Sequence, residues 1–310
     1  MQLTSLTVAL DDCPDYTRTT LFSVMDRLVF KSDPSLCLRS LRVLLKPNLI
    51  SARRGPLACT EAEFILAAAQ WFCDQGAVVS IGDSPVFGTA KSVLAALGID
   101  ERLNYLGVPI LSFRKKRTIP LESGVTALLA AEAFDCDLLV NLPRVKAHDQ
   151  LRLTMAVKNF FGCLVGMQKP WWHMRHGGHG SRFESLLVEI LRVLPDSLTI
   201  IDGIVAMHER GPLTGSPFPL KIMAAAANPV ALDTALLTLL GIDSNLSPLW
   251  QACRNSGIPG TDIEELDFVL RHPRDLPKSG FIVPEKLQPI RFRPLQFFVS
   301  SLKRFLLGFR

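Results

Sequence analysis

Short continuous apolar runs alternate along this chain with segments of helical period. Val43-Leu44-Leu45 and Leu138-Leu139-Val140 lack the in-out alternation of a strand with one wet face, so they read as strands buried on both sides. The pattern predicts strands at Thr4–Leu10, Arg42–Leu45, Val78–Gly82, Pro109–Phe113, Leu138–Asn141, Leu198–Ile201 and Leu220–Ala226. It predicts helices at Thr60–Gln75, Thr89–Ala96, Val125–Ala133, Arg182–Val193, Pro229–Leu240 and Pro248–Ser256. In the first of these Thr60 and Glu63 have the spacing of a capping box, and Gly76 stands just past the end. Asp233, close behind Asn228-Pro229, is expected to favour the N-terminal dipole of its own helix.

Strand and helix repeated this regularly favour a three-layer α/β/α sandwich with a mostly parallel sheet, in one body or two lobes. Residues 1–270 make up this α/β part. A proline-rich stretch over 271–294 is expected to wrap in extended form, because proline fixes its own φ and keeps its predecessor out of the helical region. In 295–310, Leu295, Phe298, Val299, Leu302, Phe305, Leu306 and Phe309 follow helical spacing with cations opposite, which predicts a basic amphipathic helix. It would dock on the body, on a protein partner or on a membrane surface.

Composition narrows the function classes. The net charge of +5 is matched by Arg291, Arg293, Lys303, Arg304 and Arg310, which lie together without an acid, so the body is balanced and nucleic-acid binding is not expected. The seven cysteines are scattered singly with no C-x-x-C pair, which argues against a disulfide framework and against a cysteine-bound iron–sulfur cluster. There is no basic leader at the start and no apolar run of membrane-spanning length, so a cytoplasmic protein is expected, with peripheral membrane attachment through 295–310 as the alternative.

The loops that leave the strand ends carry the candidate chemistry. Lys46 and Asn48 flank Pro47; they suit a phosphate or carboxylate, or form an ordinary solvated turn. In Gly82-Asp83-Ser84-Pro85 the glycine permits a tight turn, and Asp83 would hold a metal ion, a ribose hydroxyl or a lysine, or act as a cap. Neither a dinucleotide fingerprint nor a P-loop is present. The stretch 141–169, NLPRVKAHDQLRLTMAVKNFFGCLVGMQK, places Lys146 and His148 beyond a strand and Thr154, Lys158 and Asn159 on a helix, with Thr154 and Lys158 one turn apart. A lysine among Met155, Val157, Phe160 and Phe161 is either buried for function or snorkels outward. His173, His176 and His179, three apart, would suit a divalent metal, although Gly177-Gly178 interrupts any helix carrying all three. Asp202-Gly203 ends a further strand and offers a carboxylate.

Five segments together resemble the DUF362 family of bacterial and archaeal proteins: VLLKPNLI at 43–50, IGDSP at 81–85, residues 138–169 with His173, LTIIDGIVAMHERGPLTGSP at 198–217 and NPVALDTALLTLLG at 228–241. The resemblance covers about residues 42–260. It implies an α/β protein in which Lys46, Asn48, Asp83, Lys146, His148, Lys158, Asn159, Lys169, His173 and Asp202 surround a shared cleft. Some relatives carry a ferredoxin-like extension with four-cysteine motifs, which this chain lacks.

The sequence therefore points first to an enzyme acting on a small anionic substrate, a carboxylate or a phosphate, by acid/base or metal-assisted chemistry, with an isomerase or racemase as one variant. Lys158, His148, His173 and Asp202 are its catalytic candidates. Lys46, Asn48, Asp83, Ser84, Lys146, Asn159 and Lys169 are its substrate-binding candidates. A cofactor-binding accessory protein without turnover and a membrane-peripheral scaffold are the alternatives.

Overall fold

The computed structural model describes residues 2–51, 56–86, 88–177, 182–276 and 280–288. In chain order the elements are β1 (Thr7–Asp12), α1 (Arg18–Ser32), β2 (Arg42–Pro47), α2 (Ala62–Asp74), β3 (Val78–Asp83), α3 (Ala90–Ala96), α4 (Asp100–Tyr105), β4 (Ile110–Ser112), β5 (Lys116–Pro120), β6 (Thr126–Ala130), β7 (Leu138–Leu142), β8 (Arg144–His148) and β9 (Arg152–Thr154). Then follow α5 (Ala156–Asn159), α6 (Gln168–His176), α7 (Arg182–Val193), β10 (Ser197–His208), β11 (Ser216–Ala226), α8 (Pro229–Leu239), α9 (Pro248–Asn255) and β12 (Asp267–Phe268).

One large sheet runs in the order β12-β1-β11-β10-β7-β2-β3-β4, with β8 beside β10 and β9 beside β8. Its pairings are mostly parallel; β11 runs antiparallel to both its neighbours, and β9 antiparallel to β8. Because strand side chains alternate, successive residues feed opposite cores. Val43 and Leu45 of β2, and Leu138 and Val140 of β7, join α1, α2, α3 and α4 on one side. Leu44 and Leu139 join α7 and α9 on the other. Leu220, Ile222 and Ala224 of β11 pack against α8 beyond them. The sandwich thus has three layers.

The structure departs from the sequence expectations at several elements. Segment 125–133 is not a helix: β6 pairs antiparallel with β5 across a turn in which Gly124 takes φ 78°, followed by one turn of 3-10 helix. Its Ala-Leu composition favours a helix, but Ala127, Leu129 and Ala130 are needed on the core under α7, and the tertiary contact overrides the propensity. Thr60 is not the cap of α2. Its hydroxyl accepts the Asn48 N–H at 2.9 Å and donates to the Leu142 carbonyl at 2.7 Å, clamping the end of β2 to the end of β7, and α2 starts later, behind Glu61. Helix α1, legible in the spacing of Leu21, Val24, Met25, Leu28 and Val29, is an additional element.

Of the proline-rich stretch, 280–288 lies along the rim of β9–β11. Glu209 N–H donates to the Ile282 carbonyl at 2.8 Å and Arg152 Nη1 to the Pro284 carbonyl at 2.9 Å. The amphipathic helix expected at 295–310 lies outside the described residues.

Candidate functional site

Parallel register builds the floor of the site. Lys46 of β2 stands abreast of Asn141 of β7, and Asn141 abreast of Thr199 of β10, so three polar side chains form a row across the sheet, on the side to which Leu44 and Leu139 point. Buried amides must pair, and these do. Asn141 Nδ2 donates to Thr199 Oγ1 at 3.2 Å and to the Ala156 carbonyl at 3.1 Å, while its Oδ1 accepts from Asn159 Nδ2 at 2.8 Å. Asn159 Oδ1 in turn accepts from Asn48 Nδ2 at 3.1 Å. Lys146 closes the chain by donating to Asn48 Oδ1 and, at 2.8 Å, to the Ala58 carbonyl.

Lys146 and His148 are not in a loop beyond the strand. They lie on β8, which continues the line of β7 along β10 after Pro143 and is buried at every residue. Thr154 ends β9, and α5 is one turn that runs into a 3-10 turn at Phe160–Cys163, so Thr154 and Lys158 do not share a helix face. Nor does Asp233 serve its own helix. From α8 it accepts the N–H groups of Ala156 at 2.8 Å and Val157 at 3.2 Å, capping α5, while Asn228 caps α8. A turn this short could not stand alone, and the buried carboxylate supplies the acceptors its first amides lack.

Four lysines gather above this floor. Lys46 meets Asp83 at 3.0 Å, and Asp83 also accepts the Leu49 N–H at 2.9 Å. Gly162 makes room for that pair, because a Cβ there would collide with Lys46 Nζ and come within 2.5 Å of Asp83 Oδ1. Lys169 reaches from α6 to the Gly162 carbonyl at 3.1 Å and to the Ser84 carbonyl, so Ser84 takes part through its main chain. Lys158 lies over Phe161, 3.8 Å from its centroid, and 5.2 Å from that of Phe183.

All four are buried, and burial is the largest influence on three of them. It brings the ammonium of Lys146 down to about 7, that of Lys158 to about 7 and that of Lys169 to about 8. Lys169, Lys146 and Lys46 push Lys158 further down, while Glu184 opposes them. Glu184, on α7, is itself raised by burial, and its Oε2 has no hydrogen-bond partner among the described residues.

Two imidazoles complete the group. His148 Nδ1 accepts the N–H groups of Gln150 at 3.1 Å and Leu151 at 3.2 Å, which leaves the proton on Nε2. Burial first, then the charge of Lys158, holds His148 far below the ordinary histidine range and His173 at about 3. His173 lies between Phe183, 4.6 Å away, and Phe161, 5.2 Å away, with Nδ1 buried and unpaired among the described residues.

Asp202 stands apart from this group in its bonding. It accepts from Tyr16 Oη at 2.7 Å and the Glu61 N–H at 3.0 Å, and faces Arg144 Nε at 3.6 Å. Its charge reaches the buried Lys146. His176 packs on Trp171 and Trp172, and His179 lies outside the described residues. Among the described residues no three His, Cys, Asp or Glu side chains are grouped to hold a metal ion.

Three contributors are not among the candidate site residues of the sequence. Asn141 is the hub of the amide chain, and its place at the C-terminal end of a buried strand was the available signal. Glu184 occupies the apolar face of α7 with Leu187, Val188 and Leu191, the spacing that betrays a buried acid. Gly162 carried no local signal, since what it makes room for comes from β2 and β3.

The fold and the site define a three-layer α/β protein with a buried cluster of lysines, and residues 43–238 match the model of the family described as Domain of unknown function (DUF362). The chain belongs to that family. It is 38% identical over 270 residues, 86% of this chain and 84% of the relative, to a thylakoid-associated protein of Synechocystis sp.. Among solved structures it is similar to the lactate racemase apoprotein of Thermoanaerobacterium thermosaccharolyticum, at a TM-score of 0.48 and 11% identity over 78% of this chain. It is also similar to a protein of Thermotoga maritima, at a TM-score of 0.42 and 11% identity over 68% of this chain. The chain spans 58% and 56% of the lengths of those two structures.

Proposed function

We propose that the protein is an enzyme that binds a small anion, a phosphate or a carboxylate, among Lys46, Lys146, Lys158 and Lys169, and moves protons on it. One observation carries this reading. Four ammonium groups and the His148 imidazole are buried together beside the half-buried His173, with Asp83 and Glu184 as the carboxylates whose charge reaches them most directly. Burying cations without counter-charge is costly, and an anion entering the cleft recovers that cost.

Such a ligand would be held by cations on several elements, and proton transfer at neutral pH suits groups that titrate near 7. Lys158 fits as the base, and His148, with its proton on Nε2, as a hydrogen-bond donor to the ligand or an acid. His173, held at about 3 and with Nδ1 unpaired among the described residues, is a hydrogen-bond acceptor facing the same lysine. Asp202, committed to Tyr16, Arg144 and Glu61, is assigned a structural part.

The test is thermal unfolding in inorganic phosphate, acetate or succinate, against sodium chloride at equal ionic strength. At least one of these anions should raise the melting temperature of the wild type well above the chloride control, and Lys146→Met should abolish the gain. Equal melting temperatures in all four salts would overturn the reading.

A second reading concerns location. The relative from Synechocystis is by name thylakoid-associated, and no helix among the described residues is long and apolar enough to cross a membrane. Together with the basic amphipathic pattern of 295–310, this supports peripheral attachment to an anionic membrane. Wild type should co-sediment with phosphatidylglycerol vesicles and a chain lacking 291–310 should not; equal sedimentation would overturn it.

A further inference from the structure

The four buried lysines are not equivalent. Lys46 has Asp83 and the Pro47 carbonyl, Lys146 has Asn48 and the Ala58 carbonyl, and Lys169 has the carbonyls of Ser84 and Gly162. Lys158 has no hydrogen-bond acceptor among the described residues, and its amine is walled by the rings of Phe161 and Phe183. It does not snorkel outward, since the whole residue is 8% exposed. A lysine that is desolvated and set beside other cations keeps a free lone pair, which is how an amine is activated as a nucleophile. Ion pairing needs an ammonium with acceptors around it, and three of the four lysines already provide that.

We propose that Lys158 forms an imine with the carbonyl carbon of a small oxo acid whose carboxylate is held by Lys46, Lys146 and Lys169. This rests on the anion-site reading above and adds to it a covalent step and a substrate class. The Lys158 nitrogen attacks the carbonyl carbon, the C=O π pair moves to oxygen, and that oxygen takes a proton to give a carbinolamine. The nitrogen then sheds a proton, the hydroxyl leaves as water after protonation, and the C=N bond forms. Amine, carbonyl and one proton become the protonated imine and one water, with no oxidant or reductant.

The protonations have donors in place. His148 carries its proton on Nε2, because both N–H donors of the chain behind it occupy Nδ1. Glu184, 7% exposed and within reach of the Lys158 charge, has an oxygen without a hydrogen-bond partner among the described residues, and burial favours its protonated form. A carbinolamine hydroxyl on Lys158 would give that oxygen a partner.

The test uses the full chain with glyoxylate and sodium cyanoborohydride at pH 7.5, which reduces any imine to a stable carboxymethyl-lysine read by intact mass and peptide mapping. Lys158 should be modified at least about tenfold faster than the exposed Lys115 and Lys116, because more of its amine is unprotonated. Phosphate should slow it, and Lys158→Arg should lose that adduct while keeping the wild-type circular dichroism. Modification of Lys158 no faster than of Lys115 and Lys116 overturns the proposal. If an anion still raises the melting temperature in a Lys146-dependent way, the anion-site reading survives that failure. If no anion does, both fall.

Discussion

Asp233 accepts the Ala156 N–H at 2.8 Å across 77 positions of sequence, so a carboxylate on α8 holds the helical turn that carries Lys158 and Asn159. Burial pushes that carboxyl up to about 7, while the N–H groups of Ala156 and Val157 pull against it. Loss of a cap costs about 0.5–2 kcal/mol. We expect Asp233→Ala to lower the melting temperature by several degrees, and to weaken the stabilisation by anions more than this loss of stability alone requires, because Lys158 and Asn159 lose their anchor. Calorimetry with and without anion reads both. An unchanged anion response would separate the turn from the site.

The depressed lysines fix a pH dependence. Their folded values, about 7 for Lys146 and Lys158 and about 8 for Lys169, lie below the ordinary 10.5, so between those limits the unfolded chain holds more protons than the folded one. Stability contributed by these groups therefore rises as pH goes from about 7 towards 10.5, by at most a few kcal/mol per lysine at about 1.4 kcal/mol per pKa unit. Denaturant unfolding of the wild type should show the rise, and Lys146→Met should flatten it. A bound anion should flatten it as well, by keeping the lysines charged.

Gly162 is required by the Lys46–Asp83 pair, since any Cβ there intrudes on both partners. Overpacking of this kind costs about 1–3 kcal/mol. Gly162→Ala should therefore fold with reduced stability and bind phosphate or carboxylate at least about tenfold more weakly, since one displaced charge contact is worth over 1.4 kcal/mol. Titration calorimetry on the folded variant would show it.

Asp202 separates structure from chemistry. It is fully buried and ties Tyr16 of the segment before α1, Arg144 of β8 and the start of α2 to β10. Removing one partner of a buried charge pair costs about 3–5 kcal/mol. Asp202→Ala should lose stability on that scale, while the fraction that remains folded binds anions as the wild type does.

Most of this architecture was readable in the chain, because strands buried on both faces announce themselves as unbroken apolar runs such as Leu138–Val140. The β5–β6 hairpin was not, since Ala and Leu favour helix and only the docking of β6 beneath α7 makes it a strand. In the site, Lys46 and Asp83 from strand ends, Lys146 and His148 from β8, Lys158 and Asn159 from α5, and Lys169 and His173 from α6 lie together, the grouping that the family resemblance implies. Their local settings did not follow from spacing: α5 survives as a single turn through Asp233, 77 positions away, and β8 exists because β10 extends beyond β7. Asn141 and Glu184 were hidden in apolar surroundings, where a lone polar residue reads as an exception until its partners are known.

The central claim, that the buried lysines form an anion site, is tested most directly by titrating phosphate and then acetate into the wild type at pH 8, in two buffers of different ionisation enthalpy. Saturable binding of at least one anion is expected, with a heat that differs between the buffers because protons are taken up as Lys146 and Lys158, about 7 when the cleft is empty, become charged. Binding of neither anion above the chloride control, or binding that Lys146→Met and Lys169→Met leave unchanged, would contradict it.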